Sequence, residues 1–335
     1  MRALPEDFEV GALIGVLADG WRLDVEAADY APVGAGSYHW VVTGSDGTRS
    51  FVTLDDLDQK SWLGDTREEV FDGLRRAFET PLALRRSGLE FVVAPIPTGS
   101  GETLLRVGQR HTVALFPFVD GQAGRYGYYE TAEERVAVVR IVAELHAGTP
   151  AAASVARRID LDVPGRRHVE AALRDVEQPW SGGPFSGPAR QAVAAHAPDL
   201  AELLGLADRL RAEIAGGGAE WVVTHGEPHS KNVMRTESGL LLVDWDTAAL
   251  APRERDLWML VDETGVEAEA YAEATGHEPD PAGLSFYGLS WDLGDLSEYL
   301  NLLRSPHRET EDTARAYEGV KNCVATRPKW AALLD

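Results

Sequence analysis

The residues of this chain best suited to chemistry are concentrated in one stretch. It reads His225-Gly226-Glu227-Pro228-His229-Ser230-Lys231-Asn232 and, after a short apolar run, Val243-Asp244-Trp245-Asp246. Each block follows a β-like run, Trp221 to Thr224 and Leu240 to Val243, so the acids and the amide sit at strand ends. A carboxylate, an amide oxygen and further carboxylates make up the set that phosphoryl transfer needs. One orients an attacking hydroxyl, and the others hold one or two magnesium ions against the phosphates. The competing chemistry is a zinc site through His225, Glu227 and His229. The helical His-Glu-x-x-His spacing is absent and Gly226 and Pro228 oppose a helix, which leaves His225 as a buried histidine bracing the loop. A P-loop is excluded, because no Gly-x-x-x-x-Gly-Lys-Ser/Thr occurs.

The elements that must position these groups can be read from periodicity. Gly34-Ala35-Gly36-Ser37 leads into two β-rich runs, Tyr38 to Val42 and Ser50 to Leu54, joined by a turn cluster, which predicts a hairpin with a glycine-bearing loop in front. Asp65 to Glu69 starts a helix whose Val70, Leu74 and Phe78 share a face to about Thr80. Strand-like runs follow at Glu90 to Pro95, Thr103 to Val107 and Val113 to Val119. After Gly121 the texture turns helical, from a capping box at Thr131 to Glu134 into Val136, Val139, Ile141 and Leu145. Further helices are expected at 168–176, 189–195, 200–214, 293–304 and 309–323. Trp291, Asp292, Asp295, Glu298 and Tyr299 lie at spacings that share much of one helix face. That acidic and aromatic face suits an amine-bearing sugar or aminocyclitol, and equally a solvated face over a packed Trp.

At 335 residues the chain exceeds what one core usually organises, so a two-lobed enzyme or two domains is expected. Lys and Arg number 32 against 54 Asp and Glu, a formal net charge of −22, which disfavours binding to nucleic acid or to an anionic membrane. A cationic small substrate would suit the field, and so would plain solubility. The single Cys323 excludes an intrachain disulfide and a Cys-rich zinc site. No apolar run is long enough to span a bilayer, and Met1 to Trp21 carries Glu6, Asp7, Glu9 and Asp19 rather than a basic start and an apolar stretch. The expected setting is the cytoplasm.

The His225 stretch resembles the aminoglycoside phosphotransferase and choline-kinase-like branch of the protein-kinase fold, whose catalytic loop reads His-x-Asp-x-x-x-x-Asn. Val243-Asp244-Trp245-Asp246 is similar to the magnesium motif that follows in that family, and Ala251 to Leu257 and Leu145-His146 match its later and earlier landmarks. The wording Asp-Trp-Asp and the late Trp291-Asp292-Leu293 are most similar to the spectinomycin-kinase-like group. The resemblance covers most of residues 25 to 305. It implies an α+β, bilobal kinase-like fold, with a β-rich nucleotide-binding lobe over 1–118 and a helical lobe over 119–335 carrying the catalytic loop and substrate site. It also implies an ATP- or GTP-dependent O-phosphotransferase acting on a hydroxyl of an aminoglycoside, aminocyclitol or nucleoside antibiotic, as a monomer or a homodimer. A metabolic small-alcohol kinase for choline, homoserine or a sugar and a nucleotide-binding pseudokinase scaffold are the alternatives.

Carried over by position, the resemblance makes Glu227 the carboxylate that orients or deprotonates the hydroxyl, and Asn232 and Asp244 the Mg2+ ligands, with Asp246 auxiliary. Gly34, Ala35, Gly36 and Ser37 would lie over the phosphates, where glycine lets backbone N–H groups approach. Phe118 and Val119 would offer hinge hydrogen bonds to the purine, since Pro117 has no N–H to donate. Trp291, Asp292, Asp295, Glu298 and Tyr299 would meet the acceptor. The chain departs from the family at two places: Glu227 stands where the family has Asp, and Thr53 stands where it has the phosphate-aligning Lys. No lysine occurs in that strand, so Lys60 or an arginine must reach in, or magnesium and loop amides suffice, and the helix acid, Glu68 or Glu69, loses its ion-pair partner.

Overall fold

The structure is a computed structural model that describes residues 4–5, 8–34, 36–125, 129, 131–218 and 220–334. In chain order its first part holds α1 (Val10–Trp21), β1 (Val25–Ala31), β2 (Ser37–Gly44), β3 (Arg49–Asp56), α2 (Arg67–Arg86), β4 (Leu105–Val107), β5 (His111–Pro117), β6 (Gln122–Ala123), α3 (Ala132–Ala147) and α4 (Thr149–Ala152). Then come α5 (Arg166–Arg174), α6 (Ser186–Ala195), α7 (Ala197–Gly216), β7 (Trp221–Thr224), β8 (Val233–Thr236), β9 (Gly239–Leu242) and β10 (Ala249–Pro252). The remainder is α8 (Glu254–Leu257), α9 (Val266–Thr275), α10 (Pro281–Arg304), α11 (Glu311–Val324) and α12 (Ala331–Leu334). The chain divides into two compact units, Met1–Ile159 with Glu220–Pro279 and Asp160–Ala219 with Asp280–Asp335. The expected division after residue 118 falls inside the first unit.

In the first unit an antiparallel sheet runs in the order β1-β2-β3-β5-β4. Its two faces differ in chemistry because side chains alternate along each strand. Tyr38, Trp40, Val42, Val52, Leu54, Val113 and Leu115 form one face and pack with Leu13 and Leu17 of α1. The opposite face carries Ser37 and His39 of β2 across from Asp55 and Thr53 of β3. α1 was not anticipated from sequence. Gly11, Gly15 and Gly20 weaken it, no side chain caps its start, and burial of Leu13 and Leu17 holds it in place.

α2 begins on a capping box between Thr66 and Glu69 and runs beyond the expected stop near Thr80. Pro81 removes one backbone donor, yet the Thr80 hydroxyl bonds back to the Arg76 carbonyl (2.8 Å) and buried Leu84 continues the apolar stripe. The strand expected over 90–95 does not form. Val92 alone bridges to Leu242 before Pro95 and Pro97 end the pairing. β1 and α9 are likewise additions to the sequence reading.

In the second unit α10 starts at Pro281, behind the Asp280 cap, rather than at Leu293. It packs against α5, α7 and α11, burying Leu289, Leu293, Leu296, Leu300 and Leu303. Among the described residues no helix is long and apolar enough to cross a membrane.

Candidate active site

β7 delivers the chain into the loop His225–Asn232. Gly226 adopts φ +96, and a Cβ there would fall 2.4 Å from the Arg255 guanidinium, so only glycine makes this turn. The turn is held by Asp256 of α8, a fully buried carboxylate that accepts from the backbone N–H groups of His225 (2.9 Å) and Gly226 (2.5 Å). His146, in the last turn of α3, lies 3.1 Å from the same carboxylate through Nε2 and 2.7 Å from the Tyr271 hydroxyl through Nδ1. Burial alone would raise the Asp256 pKa, but the His146 hydrogen bond and the nearby positive charge carry it below the ordinary carboxylate value.

His225 is the brace that the sequence indicated. Its Nε2 faces the Val243 carbonyl (2.9 Å), which only an N–H can satisfy, so Nδ1 is the acceptor for the Glu227 N–H (3.2 Å). Protonating Nδ1 would break that bond, and burial depresses the His225 pKa accordingly. The ring also packs against Trp245, at 4.6 Å between centroids. His225 therefore ties the start of this loop to the Asp244 turn.

Asn232 ends a short 3-10 turn and enters the β8–β9 hairpin, whose register pairs Val233 with Leu242. One step beyond the ladder, the Asn232 carbonyl accepts from the Val243 N–H (3.0 Å), which places Asp244 beside Asn232. The Asn232 amide donates Nδ2–H to the Glu227 carbonyl (3.1 Å), and its Oδ1 remains as the acceptor end. Asp244 then takes a left-handed backbone, φ +68, a conformation that Asp tolerates better than most residues. Trp245 is fully buried, while Asp244 is exposed and Asp246 is part-buried against Lys60.

Asp244 keeps an open face to solvent, yet it is enclosed enough, and close enough to Asp246 and Glu227, that its pKa is raised well above the ordinary value. Asp246 goes the other way. Burial would raise it, but the Lys60 ammonium at 2.6 Å holds it down. Glu227 extends its carboxylate to 3.7 Å from the His229 ring.

Lys60 answers the question left by Thr53. Thr53 is on β3, bonded to His39 Nδ1 (3.3 Å), and carries no charge. Directly after the strand, a 3-10 turn (Leu57–Gln59) capped by Asp56 folds the chain back and delivers Lys60, only 1% exposed. Arg110 clamps Asp56 through two hydrogen bonds, fixing that turn. The Lys60 Nζ contacts Asp246, Asp55 (3.0 Å) and Ser37 (3.1 Å), with the Trp62 ring 5.1 Å away. Burial alone would lower its pKa, but the two carboxylates outweigh burial and keep it charged. The helix acids are engaged elsewhere, Glu68 with Arg106 and Glu69 in the α2 capping box.

Of the remaining expected site residues, Gly34 and Gly36 have φ +71 and +83 and open onto Ser37 at the start of β2, while Ala35 lies outside the described residues. Phe118 and Val119 follow β5 directly, and the Arg49 guanidinium covers the Phe118 ring at 3.6 Å. Trp291, Asp292, Asp295, Glu298 and Tyr299 form a half-buried stripe on α10, in the second unit. There Asp292 accepts from Thr326, Lys329 and Trp330, and the Tyr299 ring lies over Gly319 of α11.

No three His, Cys, Asp or Glu side chains among the described residues are grouped so as to hold an ion unaided. Two carboxylates and an amide oxygen nevertheless suit Mg2+, which keeps waters and takes phosphate oxygens to complete its shell. Burial raises the Asp244 pKa most, and the repulsion from Asp246 and Glu227 that adds to it is one a divalent cation would relieve.

The phosphotransferase enzyme family (APH) matches residues 34–287. Protein StrN of Streptomyces griseus is 30% identical over 268 residues, spanning 77% of this chain and 78% of its own length. Among solved structures, spectinomycin phosphotransferase APH(9)-Ia in complex with ADP and spectinomycin is similar with a TM-score of 0.70 at 17% identity, over 97% of this chain and 100% of that one. An amicoumacin kinase in complex with AMP-PNP and Ca2+ has a TM-score of 0.57 at 12% identity, over 94% of each chain. Choline kinase LicA from Streptococcus pneumoniae has a TM-score of 0.54 at 12% identity, over 95% of this chain and 99% of its own. These likenesses show the fold, an α+β kinase-like architecture with its sheet near the N-terminus and its helices toward the C-terminus.

Proposed function

This chain belongs to the phosphotransferase enzyme family, and from that premise we propose that it moves the γ-phosphoryl group of ATP or GTP to a hydroxyl of a small, amine-bearing antibiotic. The observation that carries the proposal is the gathering of Glu227, Asn232, Asp244 and Asp246 around one hairpin end, with the charged Lys60 against them. The spectinomycin and amicoumacin enzymes that share its fold support the antibiotic class.

In this reading Glu227 accepts a hydrogen bond from the acceptor hydroxyl and takes its proton as the oxygen attacks the γ-phosphorus. The bond from that phosphorus to the bridging oxygen breaks, and the nucleoside diphosphate leaves with the electron pair. Lys60 directs its ammonium at the phosphate oxygens in place of a strand lysine. Asn232 Oδ1, Asp244 and Asp246 would hold Mg2+, which when bound neutralises phosphate charge. The amides of Gly34, Gly36 and Ser37 approach the phosphates, and Phe118 and Val119 take the base. In the same proposal residues 1–118 bind the nucleotide, and the helical remainder, 119–335, carries the acceptor-binding residues. A cytoplasmic setting, where nucleotide triphosphate is present, belongs to the same proposal.

Nucleotide consumption with spectinomycin, other aminocyclitols, aminoglycosides and nucleosides, beside choline, homoserine and sugars, tests it. Turnover with an antibiotic hydroxyl supports the proposal, and turnover with only a metabolic alcohol replaces the substrate class. Thermal stabilisation by nucleotide and Mg2+ without any turnover would make the protein a scaffold. Asp244→Ala is expected to abolish both turnover and metal-dependent nucleotide binding, whereas Glu227→Gln should cut turnover about a hundredfold and largely spare binding.

A further inference from the structure

Lys60 reaches the phosphate region from outside the strand, and a lysine displaced in this way needs its own anchor. No acid of α2 provides one. Glu69 Oε2 is taken by the N–H groups of Asp65 and Thr66, both at 3.0 Å, and Glu68 is paired with Arg106 through two hydrogen bonds of 2.8 and 3.0 Å. Besides Asp246, the carboxylate against Lys60 is that of Asp55, in the last two residues of β3 and 0% exposed. Its Oδ1 accepts from the Lys60 ammonium (3.0 Å) and from the Ser37 hydroxyl (2.6 Å), and the Ser37 oxygen itself accepts from the ammonium (3.1 Å).

We propose that Asp55 is the positioning residue for Lys60, acting from the end of β3 in the role the helix acids have vacated; this rests on the phosphotransferase reading above. An ammonium has three donors. Here one goes to Asp55, one to Ser37 and one to Asp246. The first two partners are fixed by the sheet, since Ser37 and Asp55 are opposite one another in the β2–β3 register. The third, to Asp246, is the contact that a nucleotide phosphate oxygen would replace. Because Ser37 directly follows the glycine loop, the same pair ties the loop's exit to the ammonium.

The arrangement is costly to the fold, which argues for a use. Asp55 Oδ2 is buried and makes no hydrogen bond among the described residues, and an incompletely bonded buried carboxylate is destabilising. Packing alone would be better served by an apolar side chain.

The test uses the full-length protein with MgATP as the probe, reading affinity by calorimetry and slow ATP hydrolysis to water by phosphate release. Asp55→Asn keeps the shape and removes the charge. It should weaken MgATP binding about tenfold or more, the scale of one charge-assisted contact. Lys60→Met should do the same, and Asp55→Asn on the Lys60→Met background should add nothing, because Asp55 acts only through the lysine. Glu68→Gln is the control and should leave MgATP affinity unchanged. Wild-type affinity in a folded Asp55→Asn protein, additive losses in the double variant, or a loss in Glu68→Gln instead would each overturn the assignment of Asp55. Wild-type protein that neither binds nor consumes MgATP or MgGTP would overturn the phosphotransferase reading and the assignment together; if only MgGTP is bound, the same variants are read with MgGTP.

Discussion

Asp244 combines a left-handed backbone with a carboxylate whose pKa is raised by burial and by the charges of Asp246 and Glu227. Its pKa is raised in the folded state. The folded protein therefore holds a proton that the unfolded chain has released, and the stability associated with that proton is lost as pH rises from about 3.8 through the raised value. Asp244→Asn keeps the tolerated φ and removes the repulsion. It should stabilise the fold at neutral pH, seen as a higher urea midpoint, with the gain limited by solvent screening at this exposed position, while removing turnover. His39 has the opposite linkage. Burial, with the Lys60 charge adding to it, lowers its pKa to about 3 from 6.5, so the unfolded chain binds the extra proton between those values. Stability should fall as pH drops below 6.5, with a slope of up to about 1.4 kcal/mol per unit that His39→Gln flattens. Glu227, Asn232, Asp244 and Asp246 were all legible as residue types at strand ends. Lys60 had a signal too: it is the first lysine of the chain, and the next is Lys231. What sequence could not provide was the 3-10 turn that folds it back onto Asp55.

At the scale of elements, the loop over 225–232 is positioned by groups outside it. Asp256 of α8 fastens the loop's first two N–H groups, His146 of α3 orients Asp256, and Tyr271 of α9 bonds to His146. Asp256→Asn removes the charge that two N–H groups and an imidazole share. Turnover should drop about tenfold or more with nucleotide affinity nearly unchanged, as a split of kcat from KM would record. Gly226→Ala forces a Cβ into the Arg255 guanidinium at positive φ, and chemical denaturation should show a loss of about 1–3 kcal/mol. The landmarks at Leu145-His146 and Ala251 to Leu257 were readable as a family likeness, but only the packed structure gives His146 and Asp256 their shared task. α1 and α9 were missed for a related reason. Glycines lower the helix propensity of α1, the alanine- and glutamate-rich α9 carries weak periodicity, and burial of Leu13, Leu17 and Tyr271 is a tertiary event.

At the scale of the whole molecule, the net charge of −22 sets a long-range field. An amine-bearing acceptor is drawn to such a surface, so its KM should rise severalfold between about 0.05 and 0.5 M salt, while a neutral acceptor such as a sugar is unaffected. Steady-state kinetics over a salt series separates the two. Composition, the order of β-rich and helical segments, and the spacing of Glu227, Asn232, Asp244 and Asp246 were determined by sequence alone. Each is local: strand ends, turn residues and alternation need only neighbouring positions. Partner choice across long chain separations was decided by tertiary structure. Lys60 meets Asp246 across 186 positions and His146 meets Asp256 across 110, while the helix acids go to Arg106 and to the capping box of α2. Which buried acid holds a given cation depends on how the strands register and where a turn returns the chain, and a one-dimensional pattern does not carry that geometry.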